Sequence, residues 1–268
     1  MRKYLHVFEI GLQNTLVYRV NFLFRAAFGL IPLAGTLFLW EAIYSGKPAG
    51  ASVAAYSLSQ MMSYYLILTV VDTFTVVAED DWQIAADIRE GTISQFLLRP
   101  INYLGYRLSL YLAGRTIYSL VALIPAGLFI IYQREYLVGP ASVELLLLTI
   151  PATLLAGILQ FVMAYATALL AFWVLDVSTF IFIAFAVEYL ASGHLFPLDI
   201  LPAGIQQVLH YTPYPYLLYF PVGIYLGRFS WPQVWEGFAM QCLWVCIAFA
   251  LARWVWSKGI RKYSAFGG

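Results

Sequence analysis

Two carboxylates, Asp72 and Glu188, lie inside long apolar runs of this 268-residue chain and are its best candidates for chemistry. A central Asp in a membrane span costs roughly 2.5–3.5 kcal/mol on insertion scales, so it faces a partner, a cavity or the bundle interior. Contact with a transported molecule or a gating role is one assignment; a structural pair with Arg115 or Arg25 is the other. Gln60, beside Ser59 and Ser63, joins them as a candidate lining of a translocation path, although small polar residues also favour close helix contact. Other chemistries lack their residues. His6, His194 and His210 are scattered, without metal-ligand spacing. Cys242 and Cys246, one helical turn apart in an apolar stretch, read as small core residues rather than a disulfide. The sequence has no Gly-rich loop with a following Lys, so this chain is not expected to hydrolyse ATP. No catalytic, cofactor-binding or metal-binding residue is assigned to it.

Composition fixes where these groups must sit. Apolar residues make up 62% and charged residues 11%, against roughly 45–50% and about 25% in soluble domains. Such a chain belongs in lipid. A net charge of +1 argues against a nucleic-acid partner. No cleavable signal is expected, because Glu9, Gln13 and Asn14 interrupt the apolar run that one requires. Leu5, Phe8, Leu12 and Leu16 instead recur at helical spacing, so residues 1–20 read as an amphipathic helix along the membrane surface.

A transmembrane helix needs around 20 mostly apolar residues, and six blocks qualify: 22–44, 53–78, 104–132, 143–174, 177–196 and 233–256. The expected fold is an all-α polytopic membrane protein, one permease domain over 1–268 with six transmembrane helices. Basic residues set its orientation. Arg2, Lys3, Arg19 and Arg25, then Arg89, Arg99, Arg107 and Arg115, then Arg253, Lys258, Arg261 and Lys262 fall on one side. Lys47, Arg134 and Arg228 are left on the other. The positive-inside rule then puts both termini and the connection between spans two and three in the cytoplasm. Trp40, Trp231 and Trp235 near one face, with Trp173, Trp254 and Trp256 near the other, agree. Asp176, in the tight turn between spans four and five, reads as a helix N-cap.

Two polar stretches interrupt the apolar pattern. In 79–103, Glu79, Asp80 and Asp81 favour a helix start. Trp82, Ile84, Ala85 and Ile88 form a short amphipathic run that Gly91 ends. Thr92 is placed to cap a second short helix carrying Ile93, Phe96, Leu97 and Leu98, closed by Pro100. In 193–230, Gly193 permits a helix stop, while Pro197 and Pro202 prevent simple continuation. Pro213, Pro215 and Pro221 break up the aromatic run 211–225, so this part reads as a broken segment capping the route at the outer face.

Both stretches resemble one family. Arg89-Glu90-Gly91-Thr92-Ile93-Ser94-Gln95-Phe96-Leu97-Leu98-Arg99-Pro100 is similar to the signature between spans two and three of type-2 ATP-binding-cassette permeases. Ser192-Gly193-His194-Leu195-Phe196-Pro197-Leu198-Asp199-Ile200-Leu201-Pro202 resembles their Ser-Gly-x-x-Phe-Pro turn, with a re-entrant segment after span five. The resemblance is closest to a bacterial branch with two dissimilar permeases per ATPase. It implies an exporter subunit of the bacterial inner membrane that pairs with a second, homologous or identical permease. A cytoplasmic ATP-binding-cassette ATPase dimer would carry the ATP and Mg, leaving this chain without cofactor. Trp82, Ile88, Arg89, Glu90, Gly91, Thr92, Phe96 and Leu97 would couple to that ATPase. Gly193, His194, Phe196, Pro197 and Pro202 would form the outer gate. His194 departs from the pattern, which usually has an apolar residue there. A secondary transporter or channel without an ATPase is the alternative, but the chain lacks the paired midplane charges expected of one.

Overall fold

Inside a bilayer a backbone finds no water to bond, so long apolar segments must satisfy themselves as helices. The computed structural model describes residues 2–48, 50–77 and 79–263. Among them the regular structure is helical, and the one β-type pairing is an isolated bridge between Val53 and Tyr56. In chain order the helices are α1 (Arg2–Leu16), α2 (Arg19–Ser45), α3 (Leu58–Thr75), α4 (Asp80–Arg89), α5 (Ile93–Leu97), α6 (Tyr103–Tyr132), α7 (Val143–Ala168), α8 (Ser178–Ala191), α9 (Ala203–His210), α10 (Tyr219–Tyr225) and α11 (Trp231–Lys262).

Local chemistry starts several of them. Ser57 and Gln60 form a reciprocal capping box at α3, as Ser230 and Gln233 do at α11. The Asn102 side chain accepts from the Gly105 amide at α6, and the Ser142 side chain accepts from the Leu145 amide at α7.

Five helical stretches among the described residues are long and apolar enough to cross a membrane: Arg19–Ser45, Leu58–Arg89, Tyr103–Tyr132, Val143–Phe172 and Trp231–Lys262. Each overlaps an expected block. The inner end expected for span two, Ala78, lies outside the described residues. The remaining block, 177–196, differs. Its helix, α8, has 14 residues, or about 21 Å of rise, against a hydrocarbon core of about 30 Å. Gly193, with φ +88°, stops it.

Helix α3 lies at the centre, with α2, α6, α7 and α10 around it. Met61, Met62, Tyr64 and Leu66 are fully buried in its N-terminal half. Helix α11 packs along α7. Other positions on it are exposed, including Cys242 and Cys246. The reading of those cysteines as core residues is therefore corrected: they occupy the face of α11 turned away from α7. Trp235 and Trp254 are also exposed on α11, about 28 Å apart along its axis, a spacing that suits two aromatic belts.

Helix α1 packs along the first half of α6. Tyr4 meets Gly105 and Gly11 meets Ala113, so the two helices rise in the same direction. Leu5, Ile10 and Leu16 remain exposed, leaving apolar surface for lipid. A Cβ on Gly11 would come within 2.8 Å of Ala113 Cβ. Gly11→Val should therefore cost about 1–3 kcal/mol by overpacking and lower the thermal unfolding midpoint in detergent. An unchanged midpoint would show that α1 does not pack closely on α6.

Candidate functional site

The polar stretch between α3 and α6 folds as the two short helices α4 and α5, turned about Gly91, whose φ of +80° few other residues tolerate. Asp80 and Asp81 occupy the first turn of α4, where they complement the helix dipole. Thr92 does not cap α5 as expected; its hydroxyl donates back to the Asp87 carbonyl at 3.3 Å. The hydroxyl thus closes the turn out of α4 instead of starting α5.

Besides Gly91 and Thr92 at the turn, the other six of the eight expected coupling residues divide in two. Ile88 is buried in the core. Trp82 packs edge-on against Phe182 of α8 at 5.8 Å, and Phe96 lies against Tyr103 and Tyr106 at 5.1 and 4.7 Å. These three tie the segment to the bundle. Arg89, Glu90 and Leu97 face outward, and so does Leu98, 89% exposed. Leu98 was legible only as one apolar position among four; its exposure comes from the turn geometry after α5.

What holds the segment is a buried charge pair. The Arg107 side chain, on the first half of α6, is 7% exposed. It bonds the Asp87 carboxylate of α4, donates to Gln83 Oε1 at 3.1 Å and donates through Nε to the Tyr103 hydroxyl at 3.0 Å. Tyr103 in turn donates to Asp87 at 2.5 Å. From just beyond the end of α11, the Tyr263 hydroxyl reaches the Gly91 carbonyl at 3.2 Å and lies 2.8 Å from Ser94 Oγ. Asp176 precedes α8, where it accepts from the Ser178 amide at 2.9 Å and from the Ser178 hydroxyl. Those two bonds hold its carboxyl below the usual range.

At the other end of α3, its tyrosines bind the turn after α8. Tyr64 donates to the Gly193 carbonyl at 2.6 Å and Tyr65 to the Leu195 carbonyl at 2.8 Å. A Cβ on Gly193 would collide with Tyr64 and Tyr219. Pro197 is buried, whereas Phe196 is half-buried and Pro202 exposed. The hub of this region is Asp199, which lies within the outer motif but was not expected to have a role of its own. It accepts from the Tyr56 and Tyr219 hydroxyls, each at 2.6 Å, with Arg228 at 3.7 Å. Arg228 also donates to the Ala55 and Ala54 carbonyls at 3.1 and 3.4 Å, holding two alanines with φ of +63° and +49°. Each such residue costs about 1–2 kcal/mol. Burial, then the Asp199 charge, pushes the Tyr56 phenol well above its ordinary value, so it stays a donor. The signal that could have found Asp199 is the lone acid between Pro197 and Pro202 with one Arg at the same face.

The intramembrane candidates do not share one site. Asp72 lines a cavity of about 190 Å³ between α2, α3, α6 and the end of α8, together with His194. The His194 ring lies 4.5 Å from that of Tyr189. Glu188 opens into a separate cavity, where Gln160 donates to it at 2.5 Å. Gln60 joins neither; its side chain accepts from the Ser57 amide at 3.0 Å. Ser63, on its helical face, binds the loop after α6 through the Tyr136 carbonyl and Val138 amide.

Residues 30–267 match a family model described as ABC-2 family transporter protein. The chain belongs to that family. No curated protein and no solved structure matches it. As an ABC-2 permease it is a multi-pass membrane protein of transport, in keeping with its five long apolar helices, and membership implies a partner ATPase.

Two substitutions test the anchors of this ABC-2 chain. Arg107→Met strands the Asp87 carboxylate and should cost about 3–5 kcal/mol, read as faster protease cleavage around Gly91; wild-type cleavage rates would show that the pair does not hold α4. Asp199→Ala removes the acceptor of two hydroxyls and should cost about 1–3 kcal/mol for each. A lowered thermal midpoint is the measurement, and an unshifted one would remove Asp199 from the hub.

Proposed function

We propose that this chain is the permease subunit of an ATP-binding-cassette exporter, driven through α4 and α5 by a separate cytoplasmic ATPase dimer that holds the ATP and Mg. The observation that carries this reading is the two-sided build of the segment: buried residues bond it to α6 and to Tyr263 after α11, while Arg89, Glu90, Leu97 and Leu98 stand exposed at its tip. Work done on an exposed tip reaches the spans only if the tip is rigidly tied to them. The Asp87–Arg107–Tyr103 network supports that tie.

In this reading the chain crosses the bacterial inner membrane six times with both termini in the cytoplasm. The half-length α8 and the turns after it make up the fifth and shortest crossing. A second permease, homologous or identical, covers the apolar side of α2, where Phe24, Phe28, Ile31 and Phe38 are exposed. Gly193, His194, Phe196, Pro197 and Pro202 form the outer gate, latched to α3 by Tyr64 and Tyr65. Asp72 and Glu188 line the route from separate cavities.

Coupling is tested at the turn. Gly91→Val forces a β-branched residue into the left-handed region, at about 1–2 kcal/mol, and redirects the tip; Glu90→Ala removes its exposed charge. Both variants should accumulate in membranes yet lose most transport and capture less ATPase when the tagged full-length chain is purified. Undiminished capture and transport in both would refute the coupling role.

A further inference from the structure

The cavity that holds Glu188 lies between α7, α8 and α11 and measures about 410 Å³, within the range of small-molecule sites of about 300–1,000 Å³. Its walls are mostly apolar, with Met163, Phe185 and Leu251 among them, and two carboxylates face it: Glu188 of α8 and Asp81 of α4. None of its lining residues is Lys, Arg or His. Among the described residues, neither carboxylate is within ion-pair distance of a basic side chain. Gln160 of α7 donates to one Glu188 oxygen and so fixes the direction of the other.

A carboxylate kept in an apolar recess without a counter-charge is costly, and a positively charged occupant removes that cost. A metal ion fits poorly. Among the described residues no three His, Cys, Asp or Glu side chains converge, whereas a hard divalent cation takes six or more oxygens. The apolar walls call for a ligand with an apolar body, which a hydrated ion lacks.

We propose that this cavity binds a monovalent organic cation borne on an apolar body, with Glu188 as its counter-charge and Asp81 as a second negative group at the cytoplasmic side. Charge selects the ligand, and the aromatic and aliphatic walls supply contact area. This ligand class rests on the reading of Glu188 as a cargo contact. No ATPase is needed to test it, so loss of cation binding and loss of ATPase capture are separate failures.

The experiment uses the full chain in phosphatidylcholine nanodiscs, with empty discs subtracted. The probes are radiolabelled tetraphenylphosphonium and its anionic twin of the same shape, tetraphenylborate. The cation should bind saturably at one site per chain, and the anion should not. Glu188→Gln keeps the shape and a partner for Gln160 but removes the charge, and should weaken cation binding about tenfold or more. Ala184→Phe, which fills the cavity from the α8 wall, should abolish it without touching either carboxylate. Equal binding of the two probes, or wild-type affinity in both variants, would overturn the assignment. Absence of saturable cation binding to the wild-type chain would overturn it as well.

Discussion

A guanidinium on α6 and a carboxylate on α4 meet out of water, and the half of the molecule that carries α4 and α5 is arranged around that contact. Arg107 and Asp87 are 7% and 19% exposed, so neither charge can fall back on solvent if the other leaves. Buried pairs of this kind are poor sources of net stability but strong enforcers of one geometry, because breaking them strands a charge. Here the enforced geometry is the angle between the short helix α4 and the 30-residue helix α6. Tyr103 completes the arrangement by bonding both members and stacking on Trp256 of α11 at 5.4 Å.

The opposite end of the bundle uses the same device with different parts. Asp199 gathers two phenols and Arg228, and Arg228 in turn restrains the left-handed turn at Ala54 and Ala55. Both hubs consist of one acid, one arginine and tyrosine hydroxyls. In each, the acid lies on a short helix or turn and its partners come from chain distant in sequence. Loops and short helices at the two faces are thereby fixed without a large apolar core of their own.

The long helices were legible because membrane spans are written in composition and run length, which survive without any knowledge of partners. Residues 104–132 and 143–174 were expected as spans, and α6 and the α7 stretch fill Tyr103–Tyr132 and Val143–Phe172. The pair of short helices between α3 and α6 was legible too, since acids, Gly91 and Pro100 punctuate it. What could not be read was how side chains are spent. Gln60 has the polarity of a path-lining residue but is used three residues away in its own capping box. Trp82, Ile88 and Phe96 looked like a contact surface and instead attach the segment to the bundle, because an amphipathic stripe does not say which neighbour covers it. Cys242 and Cys246 looked like core because their run is apolar, but in lipid the outside of a helix is apolar as well.

Helix α3 is fastened at both ends. Tyr64 and Tyr65 bind carbonyls of the outer turn, while Tyr111 and Ser119 of α6 donate to the Thr75 and Thr73 carbonyls at 2.7 and 2.8 Å. Sliding this rod along its axis would break all four bonds together, at about 0.5–1.5 kcal/mol each before any packing is lost. Tilting it as one piece with α6 and the outer turn breaks none. Such a rod resists displacement along its own axis and yields to a tilt shared with α6 and the turn at Gly193.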